Sequence, residues 1–180
     1  MIANMVEEMS GAIIFLSVSI LLLVLEEYFL SPLRIINKIK LDEVTQEEAS
    51  EVCNYILETL SQEYGVVSPT FEITNYKQDE LNVVKYSNGR TLAFFCGEDN
   101  KVSLQFEVLV EEACTFSDMI DCISHEFQHY LDAISFETPH DWFAAYKNNV
   151  SYYEYKANKF ASKKSKKLVK NLMLDCLDAA

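Results

Sequence analysis

Glycine is scarce in this chain. There are 4 in 180 residues, at Gly11, Gly65, Gly89 and Gly97, and their spacing offers no loop that could cradle a phosphate, so nothing points to a nucleotide enzyme. Positive charge is scarce as well: 15 Lys and Arg stand against 28 Asp and Glu, a formal net charge of −13. That balance argues against general nucleic-acid binding, because a phosphate backbone is gripped by clustered cations. The 5 cysteines, Cys53, Cys96, Cys114, Cys122 and Cys176, form no C-x-x-C pair and are odd in number, which fits a reducing compartment better than a disulfide framework. Internal repeats and low-complexity stretches are absent.

What is present is enough apolar material, 49% of residues, to build a core in one domain with an appendage. The appendage is residues 1–40. Met9 to Leu25 carries no charge and as a helix spans about 25 Å, just short of the roughly 30 Å of a hydrocarbon core. Glu26 and Glu27 then interrupt, and Arg34, Lys38 and Lys40 follow. Read as a membrane anchor through residues 9–30, this segment places the rest of the chain, 41–180, in the cytoplasm; read otherwise, it is a buried or oligomerising helix. A cleaved signal peptide fits less well, since Glu7 and Glu8 occupy the place of a positive leader.

Thr45-Gln46-Glu47-Glu48 is a capping-box pattern, and Ala49, Val52, Cys53, Ile56, Leu57 and Leu60 behind it repeat at helical spacing up to Gly65. After Ser68-Pro69 the period becomes extended. Thr70–Asn75, Leu81–Tyr86, Thr91–Cys96 and Lys101–Val110 are rich in β-branched and aromatic residues, with turn signals at Asn88-Gly89 and Gly97–Asn100, so three or four antiparallel strands are expected. A second capping box at Thr115–Asp118 opens a helix whose apolar positions are Met119, Ile120, Ile123, Phe127, Tyr130, Leu131 and Ile134. Thr138-Pro139-His140-Asp141 starts a short helix with a cap, Pro at its first position and an acid at its third. A last long helix runs from about Ser151 to near Leu177. Of the 15 basic residues, 8 fall between Lys147 and Lys170, a solvated helix face or a contact for an acidic partner or anionic lipid.

Inside the second helix stands His125-Glu126-Phe127-Gln128-His129. Positions i and i+4 share a helix face, so both imidazoles can aim at one metal ion, and Glu126 is placed to take a proton from water held there. With only 3 histidines in the chain, shuffling produces this pattern in roughly one sequence in a few hundred. Zinc suits such a site: three protein ligands and an open fourth position. Candidates for the third ligand are Asp132, Glu137, His140, Asp141 and Glu154. Asp132 more readily orients an imidazole from behind. Cys122, one turn before His125, either approaches the metal or is a small buried hydrophobe. Glu154 opens a helix with Ala157, Asn158 and Ala161 at i+3, i+4 and i+7, small residues that permit close approach to the histidine helix, or else it closes a capping box with Ser151.

Together, the H-E-x-x-H stretch and Glu154-Tyr155-Lys156-Ala157-Asn158 resemble the gluzincin metallopeptidases, in particular the minimal forms of the ImmA/IrrE type, over residues 45 to 170. The resemblance implies an α+β zincin-like fold, with a small antiparallel or mixed sheet packed on an active-site helix and a C-terminal ligand helix. It implies Zn²⁺ held by His125, His129 and Glu154, Glu126 as general base, and a protein or peptide substrate. The strand Val102–Val110 would be the edge to which an extended peptide adds. Phe127-Gln128 replaces the Leu-Gly frequent inside the motif, and the hydrophobic N-terminus is not usual in the soluble forms. His140, Tyr146, Tyr152 and Tyr153 are chemically suited to stabilise the transition state. The rival expectation is a non-catalytic interaction protein on the same fold, with membrane association as one option.

Overall fold

The computed structural model describes residues 38–74 and 91–178, with side chains through Leu172. The apolar run Met9–Leu25 and the expected strand Leu81–Tyr86 lie outside these residues. No helix among the described residues is long and apolar enough to cross a membrane. The architecture is α+β: helix α1 (Gln46–Tyr64), strands β1 (Thr70–Ile73), β2 (Ala93–Cys96) and β3 (Lys101–Leu104), then α2 (Phe106–Glu111), α3 (Phe116–Ala133), α4 (Pro139–Asn148) and α5 (Val150–Asp178).

Local chemistry sets the helix ends. The Thr45 hydroxyl accepts from the Glu48 backbone N–H at 3.2 Å, and the Glu48 carboxylate accepts from the Thr45 N–H at 2.8 Å, so two otherwise orphaned donors are satisfied at the start of α1. Gly65 closes that helix with φ of 65°, the left-handed region where a side chain costs energy. The same reciprocal box, Thr115 with Asp118, starts α3, and Thr138, Pro139 and Asp141 start α4 as their order implies.

The sheet is mixed, one of the two forms that the resemblance implies, and not wholly antiparallel as the strand pattern alone suggests. Its order is β1-β3-β2; β2 and β3 are antiparallel across the turn at 97–100, but β1 runs parallel to β3. Thr70 donates its backbone N–H to Asn100 O at 3.1 Å, so β1 starts level with Lys101 and runs the same way. The expected edge strand Val102–Val110 is corrected on two counts. β3 is the central strand, and extended structure stops at Leu104 because Phe106 and Leu109, three residues apart, are both buried. A helix puts that pair on one face, whereas a strand would point them to opposite faces. Among the described residues, β2 is the edge that lies against α3.

Past α2, Ala113 takes φ of 54°, a conformation in which Cβ crowds the carbonyl at roughly 1–2 kcal/mol. Ala113→Gly is therefore expected to stabilise the protein by up to about 1 kcal/mol, once the extra backbone entropy of glycine in the unfolded chain is deducted. Chemical denaturation reads this as a higher midpoint at unchanged slope. A lower midpoint would show that the left-handed turn carries no strain.

The core lies where α1, the sheet and α5 meet around α3. Phe127 is fully buried, with the rings of Tyr130, Tyr64 and Phe160 at 5.4, 6.2 and 6.3 Å between centroids. Met119, Ile120, Ile123 and Tyr130 are buried as their spacing predicts, but Ile134 is 45% exposed, since it is the C-cap residue and projects past the packed face. Ala157 and Ala161 on α5 are buried and let that helix lie close against α3. The two helices are antiparallel, as the cross-contacts His125 to Asn158 and His129 to Glu154 require.

Candidate metal centre

Three side chains from these two helices converge on one point. His125 Nε2 and His129 Nε2 are 3.1 Å apart; Glu154 Oε2 lies 3.3 Å from the first, and Glu154 Oε1 lies 3.2 Å from the second. Among the described residues these are the His, Cys, Asp and Glu groups that could hold a metal ion. The spacing can be tested against an ion. Ligands bound at 2.0–2.1 Å in a tetrahedron stand roughly 3.3 Å from one another. Two imidazole nitrogens and a carboxylate this close are a group that could hold a metal ion.

The surroundings fix each ligand. His125 Nδ1 sits 3.1 Å from Asn158 Oδ1; with Nδ1–H donating there, the Nε2 lone pair is left for a metal. Burial works against protonating His125, but hydrogen bonding to Glu154 and the charges of Glu126 and Glu154 outweigh it and leave the pKa above the ordinary value. His129 is buried, its ring edge-on to Tyr146 at 5.5 Å, and its Nδ1 has no hydrogen-bond partner among the described residues. Tyr146 OH donates to Glu154 Oε1 at 2.6 Å. Hydrogen bonds from His125, then His129, and also Tyr146 hold the Glu154 carboxyl well below the usual range against the opposing effect of burial.

Glu126 is 8% exposed. Burial pushes its pKa up despite the two neighbouring imidazoles, and it accepts a hydrogen bond from the Phe95 backbone N–H of β2. A cleft of about 490 Å³ opens beside it, bounded by Thr91–Ala93, by α3 from Asp121 to Glu126, and by α5 from Glu154 to Lys166.

Several sequence expectations change here. Asp132 orients no imidazole: its Oδ1 accepts from Gln128 Nε2 at 2.9 Å and pairs with Lys156, because about one turn beyond His129 on the side of α3 that faces α5 it meets that lysine. Glu154 does not cap a helix, since α5 starts at Val150 and its carboxylate is turned to the histidines. His140 and Asp141 are exposed at the start of α4, outside the cluster, as is Glu137. Cys122 lines the cleft but is outside the ligand group; burial, then the charge of Glu126, pushes its thiol up to about 12. Cys53, Cys96 and Cys114 are also free thiols. Of the four candidate transition-state donors, Tyr146 is the one against the cluster. Sequence reasoning missed Phe95, whose role depends on how β2 docks, and the partnership of Asn158 with His125.

Comparison of the chain with protein-family models, with curated proteins and with solved structures gives no match.

Proposed function

We propose that the protein is a zinc-dependent peptidase of the gluzincin type with a zincin-like fold, in which His125, His129 and Glu154 hold the ion and Glu126 is the general base. The observation that carries this reading is the cluster of ligand atoms, with 3.1 Å between the two imidazole nitrogens and 3.2–3.3 Å from each of them to one of the two Glu154 oxygens, and a buried carboxylate next to it at the mouth of a cleft. A 2-His, 1-carboxylate donor set with borderline-soft nitrogens suits zinc. When bound, the ion supplies Lewis acidity that polarises the scissile carbonyl and acidifies water.

The chain's own residues supply the rest. Glu126 takes the proton from the attacking water and returns it to the leaving amine; its raised pKa moves it toward the working range of a base near neutral pH. Tyr146, already donating to Glu154, is placed to donate to charge developing on the carbonyl oxygen. The β2 edge is the surface on which an extended substrate backbone adds as a strand, bringing its carbonyl past Glu126.

Metal analysis of the purified protein tests the reading directly. About one zinc per chain is expected, and removing it with a chelator should lower Tm and abolish cleavage of an unfolded protein substrate, with zinc restoring both. Protein that binds no divalent ion at neutral pH would refute the assignment.

A further inference from the structure

On α5 the cleft continues well past the ligand triangle. Glu154, Asn158, Ala161, Ser162, Ser165 and Lys166 line it in helical succession, and 12 residues from Glu154 to Lys166 carry it about 18 Å along the helix. Lys166 belongs to a ridge. Lys159, Lys163, Lys166 and Lys170 follow at intervals of four, three and four, so they share one face of α5, and all four are exposed. Among the described residues none of these four is held in an ion pair. By contrast, their neighbours are engaged: Lys156 pairs with Asp132, and Lys164 and Lys167 pair with Glu63. Lys159 also lies over the Tyr155 ring at 6.0 Å, and Lys166 shares the cleft with Asp121.

This row of unpaired cations flanks a cleft in a protein of net charge −13. An acidic chain is repelled by the net charge of such a molecule and attracted along this row. Resting on the peptidase reading, we propose that the ridge selects the substrate: an acidic peptide segment, with Asp or Glu about five residues to one side of the scissile bond. The distance is that of Lys166, the one of the four that lines the cleft, since an extended chain covers about 18 Å in five to six residues. The four contacts are exposed and individually weak, so together they are worth about tenfold in kcat/KM.

The test profiles cleavage of a proteome-derived peptide library by the zinc-loaded full chain, by Glu126→Gln, by a variant with Lys159, Lys163, Lys166 and Lys170 all replaced by Gln, and by the same four replaced by Arg. Metal content and Tm are measured on every sample. Wild type and the Arg variant are expected to enrich Asp and Glu about tenfold at these positions on one side. The Gln variant should lose that enrichment, as should wild type at 1 M salt, where the Debye length falls to about 3 Å. A wild-type profile without acidic enrichment, or enrichment that survives in the Gln variant, overturns the proposal. Failure of the underlying reading looks different: wild type then cleaves no more than Glu126→Gln. In that event, retention of the library on immobilised protein decides about the ridge, which stands if wild type retains acidic peptides over the Gln variant and falls if the two retain alike. Ridge-dependent binding to phosphatidylserine-containing vesicles without acidic enrichment in either assay assigns the lysines to a membrane surface and overturns the proposal.

Discussion

Glu126→Gln is expected to slow peptide hydrolysis by about 10²–10⁴-fold, the usual contribution of a positioned general base, while leaving fold and metal content in place. The amide keeps an oxygen to accept the Phe95 N–H but cannot take a proton from water. Stability should not suffer. Burial raises the folded-state pKa of Glu126, so the folded protein pays for the charged form as pH climbs through that value, and a neutral amide removes the penalty. Metal-free Glu126→Gln should therefore melt no lower than metal-free wild type at neutral pH. Turnover, zinc content and Tm on the same preparations check all three statements. A variant that cleaves at the wild-type rate ends the general-base assignment, and a wild type no faster than the variant favours a non-catalytic binding protein on this scaffold.

The second large effect is on the metal itself. Glu154→Ala removes the carboxylate that touches both imidazoles, at 3.2 and 3.3 Å, and should weaken zinc binding by more than the roughly 10–100-fold typical of losing a residue behind a ligand. Asn158→Ala should fall within that smaller range, because it frees the His125 ring without deleting a ligand. His140→Ala should change nothing, since His140 is exposed and apart from the cluster. Competition with a coloured chelator ranks the four proteins. Wild-type affinity in Glu154→Ala would overturn the ligand set. Acid should act in the same direction: the Glu154 carboxyl is held below its ordinary range, so the stabilisation it gives is present above that range and is lost as pH falls, along with the metal as the imidazoles protonate.

What the sequence disclosed is what one helix can specify alone. His125 and His129 share a face by spacing, and the Thr45, Thr115 and Thr138 caps each involve residues within three of one another, so all were legible. Glu154 was one of five candidates by position, favoured by the small residues Ala157, Asn158 and Ala161 that follow it and by the resemblance. Its geometry depends on α5 docking against α3, made possible by Ala157 and Ala161. The same docking turns Asp132 to Lys156 rather than to an imidazole, which no local pattern encodes. Strand direction is equally non-local. β-branched and aromatic content marked Thr70–Ile73 and Lys101–Leu104 as extended, but that they run parallel is settled by where the chain re-enters the sheet from α1. The expected strand to Val110 failed because Val108 and Val110 suit a sheet by type, while burial of Phe106 with Leu109 decided for a helix.

The order of the ligands along the chain has a consequence for synthesis. Both imidazoles and Glu126 are made on α3, whereas Glu154 and Asn158 arrive 25 or more residues after His129, on a helix that must fold and dock backward to reach them. A growing chain that has emerged only to α4 holds two imidazoles with no carboxylate between them, and β2 has no completed centre beside it. On the proposed mechanism the hydrolytic site is thus not assembled until α5 has emerged, and a ribosome-bound or truncated chain lacking α5 is inert toward its neighbours.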